Sequence, residues 1–300
     1  MIKIFVTGGG GFIGRQVLPA LVELGFDVHA SHIEAEPPLT ADGVTWHRAD
    51  LLASGGPADV MQRVRPLVLL HVAWYAAHGE FWTSPENARW VDASLELVRA
   101  FRGAGGARIV VAGTCAEYAW GGTEPLHEST TPLQPKTPYG SAKDALRRAV
   151  EAYARDEGIA WAWGRIFLLY GPHEDPRRFV PSVARALLRG DDAPCTHGRQ
   201  VRDFLHVGDV GRAFGALARS DVTGAINIAS GLPVTLASVA TELQRLVGGA
   251  GRVQLDAIPA RPHDPSTVVA DVTRLSEEVG FRPRFSLTDG LRDTIAWLRE

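Results

Sequence analysis

A tyrosine and a lysine lie four residues apart in the segment PYGSAK, at Tyr139 and Lys143. Four residues make about one turn of an α-helix, so on a helix the two side chains would share a face. An ammonium group near a phenol favours the phenolate and brings the phenol pKa from about 10 toward neutral pH. Such a pair could act as a general acid and base, although an ordinary helix surface gives the same spacing.

The glycine-rich segment TGGGGFIG, from Thr7 to Gly14, lies between an apolar run and a pattern with helical periodicity. Glycines permit a tight turn in which backbone N–H groups approach a pyrophosphate, and a helix N-terminus attracts the phosphates. The context therefore predicts a dinucleotide-binding turn. Its predicted cofactor contacts are Gly8, Gly11, Phe12, Ile13 and Gly14.

The predicted adenosine end of this site departs from the usual pattern. An acid commonly holds the ribose at the end of the second strand, but His32 stands there and no arginine lies nearby in the sequence to pair with a 2′-phosphate. His32 is either a weak phosphate contact or a solvent-facing strand end. Asp50 and Leu51 are expected beside the adenine, with a simple surface role as the alternative for Asp50, and Ala73 is expected to contact the cofactor.

The elements that would position these residues alternate between short apolar strands and amphipathic helices. Near-continuous apolar strands in such an alternation indicate a parallel α/β sheet covered by helices on both sides. The predicted strands are Lys3–Gly8, Phe26–His32, Leu67–Trp74, Arg108–Thr114 and Ala160–Pro172. The predicted helices are Ile13–Gly25, Ala93–Gly106 and Tyr139–Gly158.

Composition narrows the class of protein. The chain has 300 residues, 45% of them hydrophobic, and a formal net charge of −3, which argues against nucleic acid as a partner. Its two cysteines, Cys115 and Cys195, have no metal-ligand spacing, so no metal site is predicted. The N-terminus lacks the features of a signal peptide and no apolar run could span a membrane, so we expect a cytosolic protein.

Several ordered segments together resemble one known family. Besides TGGGGFIG and YGSAK, Thr114 ends a strand between them, GRIFLLYGP follows the tyrosine-bearing helix, and RDFLHVGDVGRAF spans Arg202–Phe214. Over nearly its whole length the chain resembles the extended short-chain dehydrogenase/reductase family, the NAD-dependent epimerase/dehydratase proteins that act on nucleotide sugars. The resemblance implies Tyr139 as general acid/base. It further implies that Lys143 lowers the tyrosine pKa and holds the nicotinamide ribose, and that the Thr114 hydroxyl bonds the reacting sugar oxygen.

The resemblance also implies a fold and partners. We expect a Rossmann-type doubly wound parallel sheet over 1–170 and a smaller, mainly substrate-binding C-terminal lobe over 171–300. Segments near 202–229 are candidates for returning to the first domain. The implied cofactor is NAD or NADP, the implied substrate is a nucleotide-diphosphate sugar, and the implied assembly is a homodimer formed through two long helices.

Departures from the family pattern narrow the expected chemistry. Sugar 4,6-dehydratases carry an acid pair directly after the threonine, where this chain has Cys115 and Ala116, so 4,6-dehydration is not expected. The segment GTCAEYAW looks most like reductases of nucleotide-linked 4-keto-6-deoxy sugars, and the missing acid at His32 suits a reductase that accepts NADPH. We therefore expect a 4-keto reductase. A 4-epimerase with tightly bound NAD and an NADP-sensing, non-catalytic relative are the alternatives.

The substrate side offers fewer signals. Arg202 and Arg261 are candidates for the nucleotide diphosphate, because a guanidinium contacts phosphate in a bidentate way; salt bridges are the alternative for both. Trp74, Tyr75 and His78 follow the third strand and could line a sugar pocket, although tryptophans this dense also suit a core. Glu117 either points at substrate or has a structural role. Asp203, His206 and Asp209 are expected to brace the junction of the lobes.

Overall fold

The computed structural model describes residues 1–38, 41–262 and 264–300. Its strands are β1 (Lys3–Thr7), β2 (Asp27–His32), β3 (Val44–Arg48), β4 (Val68–His71), β5 (Arg108–Thr114), β6 (Ala160–Ile166), β7 (Leu168–Tyr170), β8 (Ala193–Pro194), β9 (Val201–His206), β10 (Gly224–Ile228), β11 (Pro233–Thr235), β12 (Val253–Gln254) and β13 (Thr267–Val268). Its helices are α1 (Gly14–Glu23), α2 (Gly56–Val64), α3 (Glu86–Gly103), α4 (Pro138–Glu157), α5 (Phe179–Leu188), α6 (Val207–Arg219), α7 (Leu236–Val247), α8 (Thr273–Glu277) and α9 (Leu287–Arg299). A short 3₁₀ helix covers Cys115–Glu117.

A seven-stranded sheet in the order β10-β6-β5-β4-β1-β2-β3 forms the centre, and every neighbouring pair in it is parallel. Its central strands are almost wholly apolar because both faces are covered, and all residues of β5 are buried. Helices α1 and α6 cover one face, while α2, α3 and α4 cover the other. The predicted Rossmann-type α/β fold is therefore confirmed.

The C-terminal lobe is built on a second, smaller sheet. In it β9 pairs with β7, β11 and β13, and α5, α7 and α9 pack on it around their own apolar core. The sequence predicted one strand over Ala160–Pro172, but the structure divides that segment at Phe167 between the two sheets. Strand β10 then pairs with β6 at the edge of the first sheet, so a late segment of the chain completes that sheet.

The strand predicted over Leu67–Trp74 ends earlier, at His71. The backbone N–H groups of Val72 and Ala73 donate to the Thr7 hydroxyl, at 3.1 Å each, instead of to a neighbouring strand. The chain therefore turns away over the carboxyl end of the sheet, where parallel α/β sheets usually bind their ligands. Among the helices in the described ranges, none has both the length and the apolarity that crossing a bilayer would require.

Candidate functional site

The glycine-rich turn lies at the carboxyl end of β1 and leads into α1. Gly8 has φ of +70°, and a Cβ on it would lie 2.9 Å from the Cα of Ala73. A Cβ on Gly14 would overlap the Gly8 carbonyl, whereas one on Gly11 would meet only that carbonyl oxygen, at 3.3 Å. The protein itself thus requires glycine at two positions, and the third keeps the turn bare of side chains. Such a turn fits a dinucleotide pyrophosphate.

A buried polar cluster fixes the chain beside this turn. The Thr7 hydroxyl shares a hydrogen bond of 2.7 Å with Nδ1 of His71, whose Nε2 lies 2.8 Å from the Ser94 hydroxyl. Burial, and to a lesser degree the charge of Lys143, lower the pKa of His71 to about 3, so this imidazole is neutral. His71 therefore has a structural role that the sequence analysis missed. It places Ala73 against the turn, where a cofactor contact was predicted.

The structure brings the predicted hydroxyl pair together. Thr114 is the last residue of β5, and Tyr139 lies in the first turn of α4. This helix begins at Pro138, and the Thr137 side chain caps it by accepting from the Gly140 N–H at 3.1 Å. The Thr114 side chain faces the Tyr139 hydroxyl closely enough to lower the pKa of that phenol.

The protonation of Tyr139 differs from the sequence-based expectation. Burial raises the pKa of Tyr139 above its ordinary value of 10.0, and the hydrogen bond with Thr114 and the charge of Arg178 lower it by less. The phenol is therefore protonated at neutral pH. The lowering of this pKa by Lys143 remains a prediction.

Lys143 lies one helical turn after Tyr139, as the spacing predicted, and is buried. Its Nζ donates to the Ala112 carbonyl oxygen of β5 at 3.0 Å and lies 3.8 Å from the centre of the Trp74 ring. Burial lowers the pKa of Lys143 to about 7, against the opposing effect of the Glu117 carboxylate. The amine can therefore change its charge near neutral pH.

Three aromatic side chains, Trp74, Phe81 and Trp82, form a wall around Tyr139. Their ring centres lie 6.5, 4.9 and 5.6 Å from that of Tyr139, all in edge-on orientations. The Trp82 carbonyl accepts from the Tyr139 N–H at 3.1 Å, which fixes the wall to the start of α4. Phe81 was missed from the sequence, and Trp90 packs behind the wall with its ring centre 6.1 Å from that of Trp74.

Glu117 has a structural role, which decides between the two alternatives left by the sequence. Its side chain is fully buried and accepts from the Thr114 N–H at 2.9 Å. It also accepts from Nε1 of Trp163 at 2.8 Å and from Nε of Arg165 at 2.8 Å. Because a buried carboxylate with three donors is fixed in place, Glu117 holds the backbone of Thr114 in one position.

Cys115 and Ala116 follow Thr114 in the 3₁₀ helix, and both are buried. Burial raises the pKa of the Cys115 thiol to about 12, with a smaller contribution from the Glu117 carboxylate. The thiol is therefore protonated and does not act as a base at neutral pH. The pair of acids that 4,6-dehydration requires has no counterpart in this helix.

The predicted adenosine end is more open. His32 packs edge-on against Trp46, with ring centres 5.9 Å apart, and its buried Nδ1 has no partner within the described residues. Arg48 is its cross-strand neighbour on β3, so an arginine does lie beside His32. The sequence analysis overlooked it because strand register was unknown. The Asp50 carboxylate is exposed and accepts from the Leu52 N–H at 2.9 Å, while Leu51 is buried in the core.

Arg202 differs from the prediction of a diphosphate contact. Its side chain is buried and donates to Oδ1 of Asp264 at 2.7 Å and to the Val201 carbonyl at 2.9 Å. This ion pair is the alternative that the sequence left open, although it is buried and not on the surface. Asp203 is also buried and accepts from the Ser230 and Ala270 N–H groups, which joins segments of the C-terminal half.

The other predicted substrate residues lie on more exposed segments. The Tyr75 hydroxyl donates to Glu80 at 2.7 Å, and Arg261 is exposed. The pKa of His78 is lowered by burial and then by the charge of Arg178, with a smaller contribution from Arg261. The charges of these two arginines therefore reach His78. Arg178, which also affects Tyr139, was missed because its segment PRRF showed no motif.

Both the sequence and the fold resemble those of known proteins. Residues 4–229 match the sequence profile described as the NAD dependent epimerase/dehydratase family. The chain is 26% identical to a UDP-glucose 4-epimerase of Corynebacterium glutamicum over 94% of its own length and 91% of that protein. It is 26% identical to a dTDP-6-deoxy-L-talose 4-dehydrogenase (NAD(+)) of Aggregatibacter actinomycetemcomitans, over 89% and 98%. The structure of MoeE5 in complex with UDP-glucuronic acid and NAD aligns with a TM-score of 0.86, 30% identity and 99% coverage of both chains.

Proposed function

The chain belongs to the NAD dependent epimerase/dehydratase family, and on that premise we propose that it reduces the 4-keto group of a nucleotide-linked 4-keto-6-deoxy sugar. The observation that carries this proposal is a half-buried Tyr139, protonated because burial raises its pKa, next to Thr114 and the bare glycine turn. A ketone needs a proton donor at its oxygen when it is reduced, and a phenol with a raised pKa remains a donor at neutral pH.

The residues around the glycine turn and the start of α4 fit a nicotinamide dinucleotide. The glycine turn would hold the pyrophosphate, with the N-terminus of α1 facing it, and Lys143 and Tyr139 would hold the nicotinamide ribose. When bound in reduced form, the cofactor supplies a hydride. Proton donation, charge stabilisation and exclusion of water depend on side chains of this protein.

In the proposed reaction the ketone oxygen lies between the hydroxyls of Thr114 and Tyr139. Tyr139 would donate its proton to that oxygen when the ketone is reduced, so that the ketone becomes a hydroxyl and Tyr139 is left as the phenolate. Thr114 would stabilise the charge that develops on this oxygen by a hydrogen bond. Glu117 holds the Thr114 backbone in position by accepting from its N–H. The aromatic wall excludes water from one side of Tyr139. Lys143, with a pKa of about 7, lies one turn away to support the phenolate that forms.

Two observations argue against dehydration and favour a single transfer. Cys115 and Ala116 provide neither an acid nor a base after Thr114. An epimerase would first need Tyr139 to accept a proton, and burial opposes that step by raising its pKa. The Aggregatibacter dehydrogenase, whose name states a redox reaction at C4 of a 6-deoxy sugar nucleotide, is a relative in keeping with the proposal.

A 4-epimerase with tightly bound NAD is the second candidate, and the relatives favour it. The Corynebacterium relative is named as a UDP-glucose 4-epimerase and aligns over nearly the whole chain. An epimerase would use the same Thr114, Tyr139 and Lys143 and would regenerate its cofactor in place. The two candidates therefore differ in cofactor turnover and not in these residues.

The choice between NAD and NADP depends on the adenosine end. His32 replaces the acid that would bind a ribose hydroxyl and repel a 2′-phosphate, and Arg48 lies beside it. We infer that NADPH is accepted at least as well as NADH. Glu34 and Glu36 follow on the next segment, and their charges oppose this preference.

The proposal is tested by incubating the purified protein with dTDP-, GDP-, CDP- and UDP-linked 4-keto-6-deoxyhexoses and NADH or NADPH. Stoichiometric loss of cofactor absorbance with a 4-hydroxy product by NMR is the expected result. Interconversion of 4-hydroxy sugar nucleotides with no net change in cofactor would identify the epimerase instead. Cofactor binding with no turnover of any sugar nucleotide would favour a sensor.

A homodimer remains a prediction, as does a cytosolic location. Helices α3 and α4 pack side by side on one face of the large sheet, which is the arrangement that a two-fold bundle of four helices would need. Light scattering at micromolar concentration is expected to give twice the mass of the 32.3 kDa chain. A monomer in that measurement would contradict the prediction.

A further inference from the structure

Trp74 contacts both members of the Tyr139–Lys143 pair, whereas its sequence suggested either a lining of the sugar pocket or a core position. We propose that Trp74 is a positioning residue that holds the Lys143 ammonium under its indole face, and that Asn87 fixes the indole for this purpose. This inference rests on the proposed function. It adds Trp74 to the residues that act together with Tyr139 and Lys143.

The contact between the two side chains has the geometry of a cation–π interaction. Lys143 Nζ lies 3.8 Å from the centre of the Trp74 ring, and Lys143 is 3% exposed. Its hydrogen bond to the Ala112 carbonyl, at 3.0 Å, satisfies one of its N–H groups. An ammonium this far from water gains more from an aromatic face than an exposed one does, because no solvent competes. The indole therefore takes a place that water would otherwise occupy.

Asn87 orients the indole and is itself completely committed. Its Oδ1 accepts from Nε1 of Trp74 at 2.9 Å, and its Nδ2 donates to the carbonyls of Phe81 and Ser84 at 2.7 and 3.0 Å. Only 1% of Asn87 is exposed. Because the same amide fixes both Trp74 and the segment that carries Phe81, the ring cannot leave the ammonium without breaking a buried hydrogen bond.

The charged groups that the structure describes near Lys143 are paired with other residues, so the indole is a substantial partner of its ammonium. The Glu117 carboxylate on the 3₁₀ helix favours the ammonium, but it is committed to three other donors. His71 of β4 is neutral, and α3 contributes the uncharged Asn87, Trp90 and Ser94 on this side. On α4 itself, Asp144 is paired with Arg147 and Arg148.

The first test is a fluorescence titration of the cofactor-free protein, in which the indole reports the charge above it. Wild type should show a change in tryptophan emission as the pH passes through neutrality. The change should vanish in Trp74→Phe and in Lys143→Met, and it should persist in the control Trp161→Phe. A transition of unchanged size in Trp74→Phe or in Lys143→Met would overturn the proposal.

The second test measures whether the indole holds the amine. Labelling of Lys143 by an amine-reactive reagent, followed by mass spectrometry at neutral pH, should be about tenfold faster in Trp74→Leu than in wild type. Trp74→Phe, which keeps an aromatic face, should restore a rate near that of wild type. If Trp74→Leu does not fold, the Phe variant and the titration still decide the matter. Equal labelling in all three proteins would contradict the inference.

Neither test requires turnover, so its failure is distinct from failure of the proposed function. A protein that shows the neutral-pH transition and the labelling difference but reduces no keto sugar would retain the role of Trp74 and lose the proposed reaction. A protein that reduces a keto sugar but lacks both signatures would retain the reaction and lose the role of Trp74.

Discussion

The nicotinamide end and the adenosine end of the candidate cofactor site are built in different ways. At the nicotinamide end, Thr114 and Lys143 are buried, and their polar groups have partners on other elements. At the adenosine end, His32 has a ring nitrogen without a partner in the described chain, and Asp50 is exposed. The side chains at the nicotinamide end are held by buried contacts. Those at the adenosine end are positioned mainly by the pairing of β2 with β3.

This difference distinguishes the side chains that the fold constrains from those that can be substituted at little cost in stability. A buried polar side chain that loses its partner costs on the order of 1–3 kcal/mol, so each residue at the nicotinamide end is constrained by its neighbours. An exposed side chain carries no such cost, and a change there alters only what the ligand meets. We therefore expect reaction chemistry to depend on the first end and cofactor preference on the second.

The largest expected effect concerns the nicotinamide end. Tyr139→Phe removes the proposed proton donor and should slow turnover of a 4-keto sugar nucleotide by about 10²–10⁴-fold. Cofactor affinity, measured by fluorescence, should fall by much less, because the glycine turn and Lys143 would still hold the cofactor. Tyr153→Phe on the same helix is the matched control and should be neutral. Turnover of Tyr139→Phe within a few-fold of wild type would remove Tyr139 from the reaction.

The next effect concerns the turn between the two ends. Gly11→Val would place a side chain where the pyrophosphate must approach, and should weaken NAD(P)H binding by about 10²-fold or more. Its Cβ would meet only the Gly8 carbonyl oxygen, at 3.3 Å, so far-UV circular dichroism should stay near that of wild type. Gly103→Ala, where a Cβ would meet nothing within 4 Å, is the control. Unchanged affinity in folded Gly11→Val would contradict the assignment.

The third effect is a pH dependence of stability at the nicotinamide end. Burial lowers the pKa of Lys143 from 10.5 to about 7, so between these values the unfolded chain binds more protons than the folded one. Unfolding free energy should therefore rise with pH across this window, by at most about 1.4 kcal/mol per unit, relative to Lys143→Met. Urea unfolding of both cofactor-free proteins at several pH values measures the difference. Parallel pH profiles would show that Lys143 keeps its ordinary pKa.

The smallest expected effect tests the adenosine end. His32→Asp restores an acid for the ribose and should tighten NAD by about fivefold while it weakens NADP by a similar factor. Turnover at saturating cofactor should not change, since no buried partner is lost. Thr45→Asp, at an exposed position on the neighbouring strand, controls for added charge. The comparison between the two ends fails if His32→Asp changes the maximal rate and leaves the affinities alone.

The sequence located those parts of the site that depend on local spacing. Glycines at a strand–helix turn, a hydroxyl at a strand end and a pair one helical turn apart are all set by the geometry of a single element. Gly14, Thr114 and the Tyr139–Lys143 pair could therefore be found without a structure. Five strands were predicted for the same reason, apart from ends at His71 and Phe167, where contacts with other elements decide. Strand β3 and strands β9, β11 and β13 of the second sheet were not predicted, because their sequences have no long apolar run.

Contacts between side chains on elements far apart in the chain could not be predicted from the sequence. Arg202 carries a charge suited to phosphate, but its partner Asp264 lies 62 residues later and only the second sheet brings them together. Arg48 became a neighbour of His32 through the register of β2 and β3. The sequence around Trp74 was as consistent with a residue that lines a pocket as with one that contacts Lys143. No local signal shows that Asn87 orients its ring toward Lys143.

The late return of β10 to the large sheet bears on how the protein is made on the ribosome. Asn227 of this strand accepts from the Tyr118 hydroxyl at 2.8 Å, across 109 residues, and the same hydroxyl accepts from Arg165 at 3.0 Å. A nascent chain can assemble the glycine turn and α4 early, but Tyr118 lacks its final partner until residue 227 has left the exit tunnel. Translation thus completes the contacts of Tyr118 only after β10 has been made. A chain that ends before residue 227 would leave this hydroxyl without its acceptor and the large sheet without its last strand.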